Sequence, residues 1–212
     1  MFKKNKFKVI FASLFTLLPA LVGAVLWDKL PEKMPTHWNI NGQADQYGSK
    51  LYAVLFMPIF LFAIYWFSVI ITSLDPKNKG QNEKAFNSIL FLVPVLSLVV
   101  NGYTYSVALG YSIKISAVFC ILFGVMFLLM GNYMPKVKHN FTIGIKIPWT
   151  LNDEQNWNAT HRLAGKIWFV GGFLIIPCAF LPQTVAFVSM FVIIFIITLI
   201  PVIYSYVISK RK

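Results

Sequence analysis

The chain has 212 residues, 58% of them hydrophobic and only 12% charged, where an average soluble domain has about a quarter charged. A soluble core cannot absorb that apolar excess, and its clustering into runs of about twenty residues matches the length a helix needs to cross a bilayer. The formal charge of +12 does not indicate a nucleic-acid partner, because the 19 Lys and Arg residues are spread between the apolar runs instead of forming one patch.

The first apolar run, Phe7 to Trp27, follows the basic residues Lys3, Lys4, Lys6 and Lys8. It outlasts the core of a usual signal peptide and ends in an interfacial tryptophan, so it is taken as a retained span one. A polar segment, Asp28 to Lys50, separates it from span two, Leu51 to Leu74. Span three, about Ser88 to Leu109, breaks at Gly110-Tyr111-Ser112, and Ile113 to Asn132 makes span four. The longest polar segment, Tyr133 to Leu163, precedes apolar sequence to Ile208, which Pro182-Gln183-Thr184 divides into spans five and six. With the amino end inside, 15 of the 19 Lys and Arg residues fall on cytoplasmic segments, and Lys29, Lys33, Lys50 and Lys114 fall outside. The sequence therefore predicts an all-α membrane protein with six transmembrane helices and both termini cytoplasmic. Two units are expected: 1–86, with two spans and an extracellular loop at 28–50, and 87–212, with four spans and a cytoplasmic loop at 133–163.

None of the spans carries a central ionisable or metal-binding group of the kind that pumps and intramembrane enzymes need. Asn101 and Thr104 are the most polar residues in span three and read as packing glue, with a small transporter or permease as the alternative. Pro58, Pro94, Pro177 and Pro201 are read as structural kinks, and Cys120 and Cys178 as small packing residues. No metal or cofactor is predicted, since His37, His139, His161, Asp153 and Glu154 show no ligand spacing. A membrane enzyme using the cytoplasmic loop would require His139, His161 and Asp153 to converge.

In the outer segment, Asn41-Gly42 signals a β-hairpin whose two-residue turn pairs Ile40 with Gln43, Trp38 with Asp45 and His37 with Gln46. Trp38 and Ile40 then share one face, which needs support from the membrane surface or from helix ends. The hairpin reads equally as a tie between spans or as a binding surface for something arriving from outside.

In the inner segment, Thr150 with Asp153, or Asn152 with Gln155, forms a capping box that starts a helix. Trp157, His161, Ala164, Gly165 and Trp168 recur at helical spacing along it. This predicts a cytoplasmic interfacial helix rising into span five, with Trp149 and Trp157 at headgroup level. An anchor on the membrane lipid and a docking surface for a cytoplasmic partner both remain open.

The stretch from Asn140 through Gly144, Lys146, Pro148, Trp149 and Thr150 to Trp157, Thr160, His161 and Arg162 resembles the hallmark of the SdpI family of bacterial membrane proteins. The outer segment, Leu30 to Lys50, resembles the domain of unknown function that precedes it in that family. The family has Arg and Thr where this chain has Lys146 and Ile147, and lysine keeps the charge but loses the planar fork. The resemblance implies a non-enzymatic protein of the bacterial cell membrane. It would give immunity to a secreted SdpC-like peptide toxin and capture an SdpR-like transcriptional repressor at the membrane. Toxin contacts are then expected at Pro35, His37, Trp38, Asn41 and Gly42, and partner docking along Asn140 to Arg162.

Overall fold

The computed structural model describes residues 5–78 and 90–211; the expected unit boundary at 86/87, and Lys3, Lys4, Lys79, Lys84, Ser88 and Lys212, lie outside them. Helix α1 runs over Lys6–Val25 and ends in a 3-10 turn at Trp27–Lys29. Within it Ser13 and Thr16 donate their hydroxyls to the carbonyls of Val9 and Ala12, at 2.9 and 2.8 Å. Hydrocarbon offers these groups no other partner. Strands β1 (Lys33–Trp38) and β2 (Ala44–Ser49) form an antiparallel hairpin. A π-helical turn, Tyr52–Phe56, leads into α2 (Met57–Leu74) and places the break where Pro58 has no N–H to give. Helices α3 (Leu92–Ala108) and α4 (Ile115–Tyr133) meet at Gly110, whose φ of 89° suits glycine. A four-residue helix, α5 (Pro148–Leu151), precedes α6 (Glu154–Ile175), which tightens into a 3-10 turn over Ile176–Phe180 around Pro177. Helix α7 is Gln183–Ser209 and contains Pro201.

Among the described residues five helical runs are long and apolar enough to cross a membrane, and α3, at 17 residues, is a shorter apolar helix at the expected third span. The helices pack as two triplets, α1 with α2 and α3, and α4 with α6 and α7. Cys120 and Cys178 are buried in the second triplet beside Phe127, Ile175 and Met190.

Its tightest seam joins α4 to α6, where Gly124 and Gly131 face Gly172 and Gly165. The seven-residue spacing on both helices keeps the pairs on one face. A Cβ on Gly172 would come within 2.6 Å of the Gly124 carbonyl and 2.7 Å of the Leu128 amide. Backbone cannot step aside as a side chain can. Gly172→Ala is therefore expected to push the helices apart at a cost of about 1–3 kcal/mol, read as a lower thermal midpoint in detergent. Gly102→Ala, with nothing within 4 Å, serves as the control and should lose nothing.

The helix expected from the inner segment rises into the fifth span as one continuous run from Glu154 to Phe180. Two expectations are corrected here. Trp157 is 0% exposed and so sits inside the protein, not at headgroup level. The cap also differs from both predicted boxes: Asp153 itself accepts the Gln155 amide at 2.9 Å, while Thr150 serves the turn before it.

Candidate functional site

The hairpin end of the bundle is built on a shifted register. His37 pairs with Gln46 as predicted, but Trp38 lies opposite Ala44 instead of Asp45, because the ladder bulges around Thr36 and His37. The tip is longer than the predicted two residues: Asn39 N–H donates to Gln43 O at 2.9 Å and Gly42 N–H to Asn39 O at 2.8 Å. The Asn39 side chain causes this, accepting from the Asn41 and Gln43 amides at 3.0 and 3.1 Å and so nucleating a turn that hands the positive φ, 75°, to Gly42.

Support comes from helix ends. Met34 and Pro35 are buried at the hairpin base, Met34 against Leu30, Val54 and Tyr105. Lys50 clamps that base through Glu32 at 2.8 Å and the Trp27 carbonyl at 3.1 Å. Trp38 meets Tyr103 of α3 edge-on at 5.1 Å, whereas Ile40 stays half exposed. The tip reaches the other triplet. Thr184 Oγ1 donates to Asn41 Oδ1 at 3.1 Å, Gly42 seats against the Gln183 side chain, and Gln183 Oε1 accepts from Ser116 at 2.9 Å. Of the expected toxin contacts, His37 is exposed and bonded to Asp45 at 2.6 Å, Trp38 is half-buried, and Pro35 is buried beneath the hairpin.

Beneath His37, Trp38 and Ile40 opens a groove of about 610 Å³ walled by Phe119 and Phe123 of α4 and Phe187 and Phe191 of α7. The four rings form a continuous row: Phe119–Phe123 5.9 Å, Phe119–Phe187 6.5 Å, Phe187–Phe191 6.3 Å. Sequence reasoning missed this wall, although each pair is spaced by four residues, which places both rings on one helix face.

At the opposite end most of the hallmark residues converge into one hydrogen-bonded knot. Asn140, wholly buried, accepts at Oδ1 from the amides of Thr142 and Ile143 at 2.8 and 2.6 Å, and donates through Nδ2 to the carbonyls of Lys138 and Ile143 at 2.8 and 2.9 Å. That side chain folds the loop into a tight hook. Gly144 follows at φ 119° and faces the edge of His161 and the Trp157 ring. The Ile145 amide donates to His161 Nε2 at 3.0 Å, so the ring proton sits on Nδ1 and goes to the Trp157 carbonyl at 2.8 Å. His161 stacks on Trp157 at 3.9 Å, and the indole N–H donates to Val137 O at 2.9 Å. Thr150 Oγ1 donates to Ile145 O at 2.7 Å. Thr160 donates to Asn156 Oδ1 at 3.0 Å, which also takes the Ser205 hydroxyl at 2.7 Å and thereby ties α6 to α7.

Three partners of this knot carried no signal in the sequence. Asp75, past the end of α2, accepts from the amides of Lys77 and Phe141 at 2.9 and 2.8 Å and from the Thr142 hydroxyl at 3.1 Å. Asn78 donates to Thr142 Oγ1 at 2.7 Å, and Ser205 is the third. The remaining hallmark residues face outward: Lys146, Pro148 and Arg162 are exposed, and half-buried Trp149 packs edge-on against Tyr206 at 5.0 Å.

The chemistry of the knot is that of a scaffold. His161 has both ring nitrogens committed to backbone groups, and His139 Nε2 bonds the Leu151 carbonyl at 3.0 Å. Among the described residues no group of three His, Cys, Asp or Glu could hold a metal ion. In α3, Asn101 donates back to Ser97 O at 2.8 Å and Thr104 to Val100 O at 3.0 Å, so both serve their own helix.

Comparison with known proteins follows the same two regions. Residues 136–205 match the SdpI/YfhL protein family, and residues 14–62 match a domain of unknown function, DUF1648. The immunity protein SdpI of Bacillus subtilis (strain 168) is 29% identical over 210 residues, covering 99% of this chain and 97% of that protein. The chain is therefore similar to the SdpI family in both regions. No solved structure matches it. The SdpI match begins at Lys136, just before the hook, and ends at Ser205, where α7 returns to the knot, while the DUF1648 match contains the whole hairpin. Long apolar helices together with this likeness make it a multi-pass protein of the bacterial cell membrane.

Proposed function

We propose that this SdpI-like protein confers immunity to a secreted, membrane-active peptide toxin of the SdpC type, and that it does so by binding and not by catalysis. In this reading the hairpin lies outside and the knot inside, as the distribution of basic residues predicts. The observation that carries it is the phenylalanine-walled groove roofed by His37 and Trp38. A peptide that attacks membranes presents an apolar face and a polar backbone at the interface. An aromatic slot at the end of the bundle, rimmed by the His37–Asp45 pair, accepts both parts at once. Pro35 and Gly42 would shape the slot, and His37, Trp38 and Asn41 would border it. At the other end, Lys146, Pro148 and Trp149 would face a cytoplasmic partner, and an SdpR-like repressor is the partner the family resemblance supplies.

The test expresses the chain in a toxin-sensitive strain without its own copy and counts survivors under SdpC-like peptide. The paired substitution Phe119→Ala/Phe187→Ala removes half the wall and is expected to lower survival at least about tenfold at unchanged membrane level, as losing two buried aromatic contacts implies. Survival equal to wild type would remove the groove from the mechanism. Wild-type survival no better than empty vector would remove immunity itself.

A further inference from the structure

A second groove, of about 590 Å³, lies near the knot end between α6 and α7, lined by Pro135, Ala159, Arg162, Leu163, Lys166 and Tyr204. We propose that it is a binding site for an anionic phospholipid, holding the phosphodiester between Arg162 and Lys166 with the glycerol and first acyl carbons on Pro135, Ala159 and Leu163. This assignment is independent of the immunity reading.

Four observations support it. Arg162 and Lys166 are four residues apart and share one face of α6, and like charges at that spacing repel unless an anion lies between them. Among the described residues neither has an ion-pair partner, and no carboxylate lines the groove, so nothing there would welcome the ammonium of a zwitterionic lipid. The depth is fixed by packing: Gly165 abuts Pro135 at the end of α4, and the Asn156 amide donates to Ser205 O of α7 at 2.9 Å. Lys166 is therefore held at the level where α4 ends and the headgroups begin. The groove also joins chemistries that a lipid needs together, a planar guanidinium for two phosphate oxygens, a phenol at Tyr204 as a further donor, and an apolar floor.

Native mass spectrometry of the full chain, released from micelles carrying equal amounts of phosphatidylglycerol and phosphatidylcholine, tests the assignment. Wild type is expected to retain phosphatidylglycerol about tenfold over phosphatidylcholine, the preference two interfacial cations provide. Arg162→Gln/Lys166→Gln should lose that preference, and Lys29→Gln/Lys33→Gln at the hairpin end should keep it. Millimolar inorganic phosphate should leave the lipid bound. Three results would overturn the proposal: no preference in wild type, a preference that survives Arg162→Gln/Lys166→Gln, or displacement by free phosphate. The wild-type measurement stands whether or not any variant folds.

Discussion

Gly144→Ala is expected to destabilise the protein by about 2–6 kcal/mol, adding roughly 1–3 for the backbone conformation to a similar amount for overpacking. Gly144 has φ 119°, a region that side chains bearing a Cβ rarely adopt. Its Cβ would also collide with His161 Nε2 and lie 3.0 Å from the Trp157 ring. The colliding nitrogen is the one that accepts the Ile145 amide, so relieving the clash breaks the bond that closes the hook. Thermal unfolding in detergent should show a midpoint several degrees lower, and survival under toxin should fall with the amount of folded protein. Gly110→Ala isolates the two causes, because Gly110 has φ 89° but open space around it. It should cost the backbone share alone. Equal midpoints for Gly144→Ala and Gly110→Ala would show that the histidine contact contributes nothing.

The second large effect belongs to Asp75, whose carboxylate is 7% exposed and joins the end of α2 to the hook. Its oxygens accept three hydrogen bonds, two from amides and one from the Thr142 hydroxyl. Hydrogen bonds to an ionised acceptor are worth about 1.5–3 kcal/mol each, and removing the acceptor leaves the donors unpaired, so Asp75→Ala should cost about 2–4 kcal/mol. Asp75→Asn keeps one accepting oxygen and should fall between the two. Limited proteolysis reads the local consequence: the segment from Lys138 to Lys146 should become cleavable in Asp75→Ala while α4 and α6 stay protected. An unchanged cleavage pattern would mean that Asn140 alone holds the loop.

Much of the architecture was legible from local pattern. Apolar runs announced the helices at Phe7, Leu51 and Ile113, the Pro182-Gln183-Thr184 break announced the start of the last one, and Asn41-Gly42 announced the hairpin. The Trp157–His161–Ala164–Gly165 face is the buried face of α6. The errors came where a side chain outside the motif itself intervened. The turn was predicted from Asn41-Gly42 alone, but the Asn39 side chain captured two amides and lengthened it, which moved Trp38 one place along β2. Trp157 looked like an interfacial anchor because tryptophan near a polar loop usually is one. The Val137 carbonyl and the two histidine rings beside it bury it instead.

The sequence by itself determined that this protein lives in a membrane, where its helices run, and which two segments carry its family character. Those are properties of consecutive residues: a hydrocarbon-length apolar run or a glycine after an asparagine keeps its meaning wherever the rest of the chain goes. Tertiary structure alone decided what the hallmark residues do, because Asp75 with Thr142, Asn41 with Thr184, and Asn156 with Ser205 meet across separations of 67, 143 and 49 residues. The Asp75 and Asn156 pairings are made by polar groups that must find a partner where water is excluded, the Asn41 pairing joins exposed groups at the hairpin tip, and which partner each finds depends on how the helices pack.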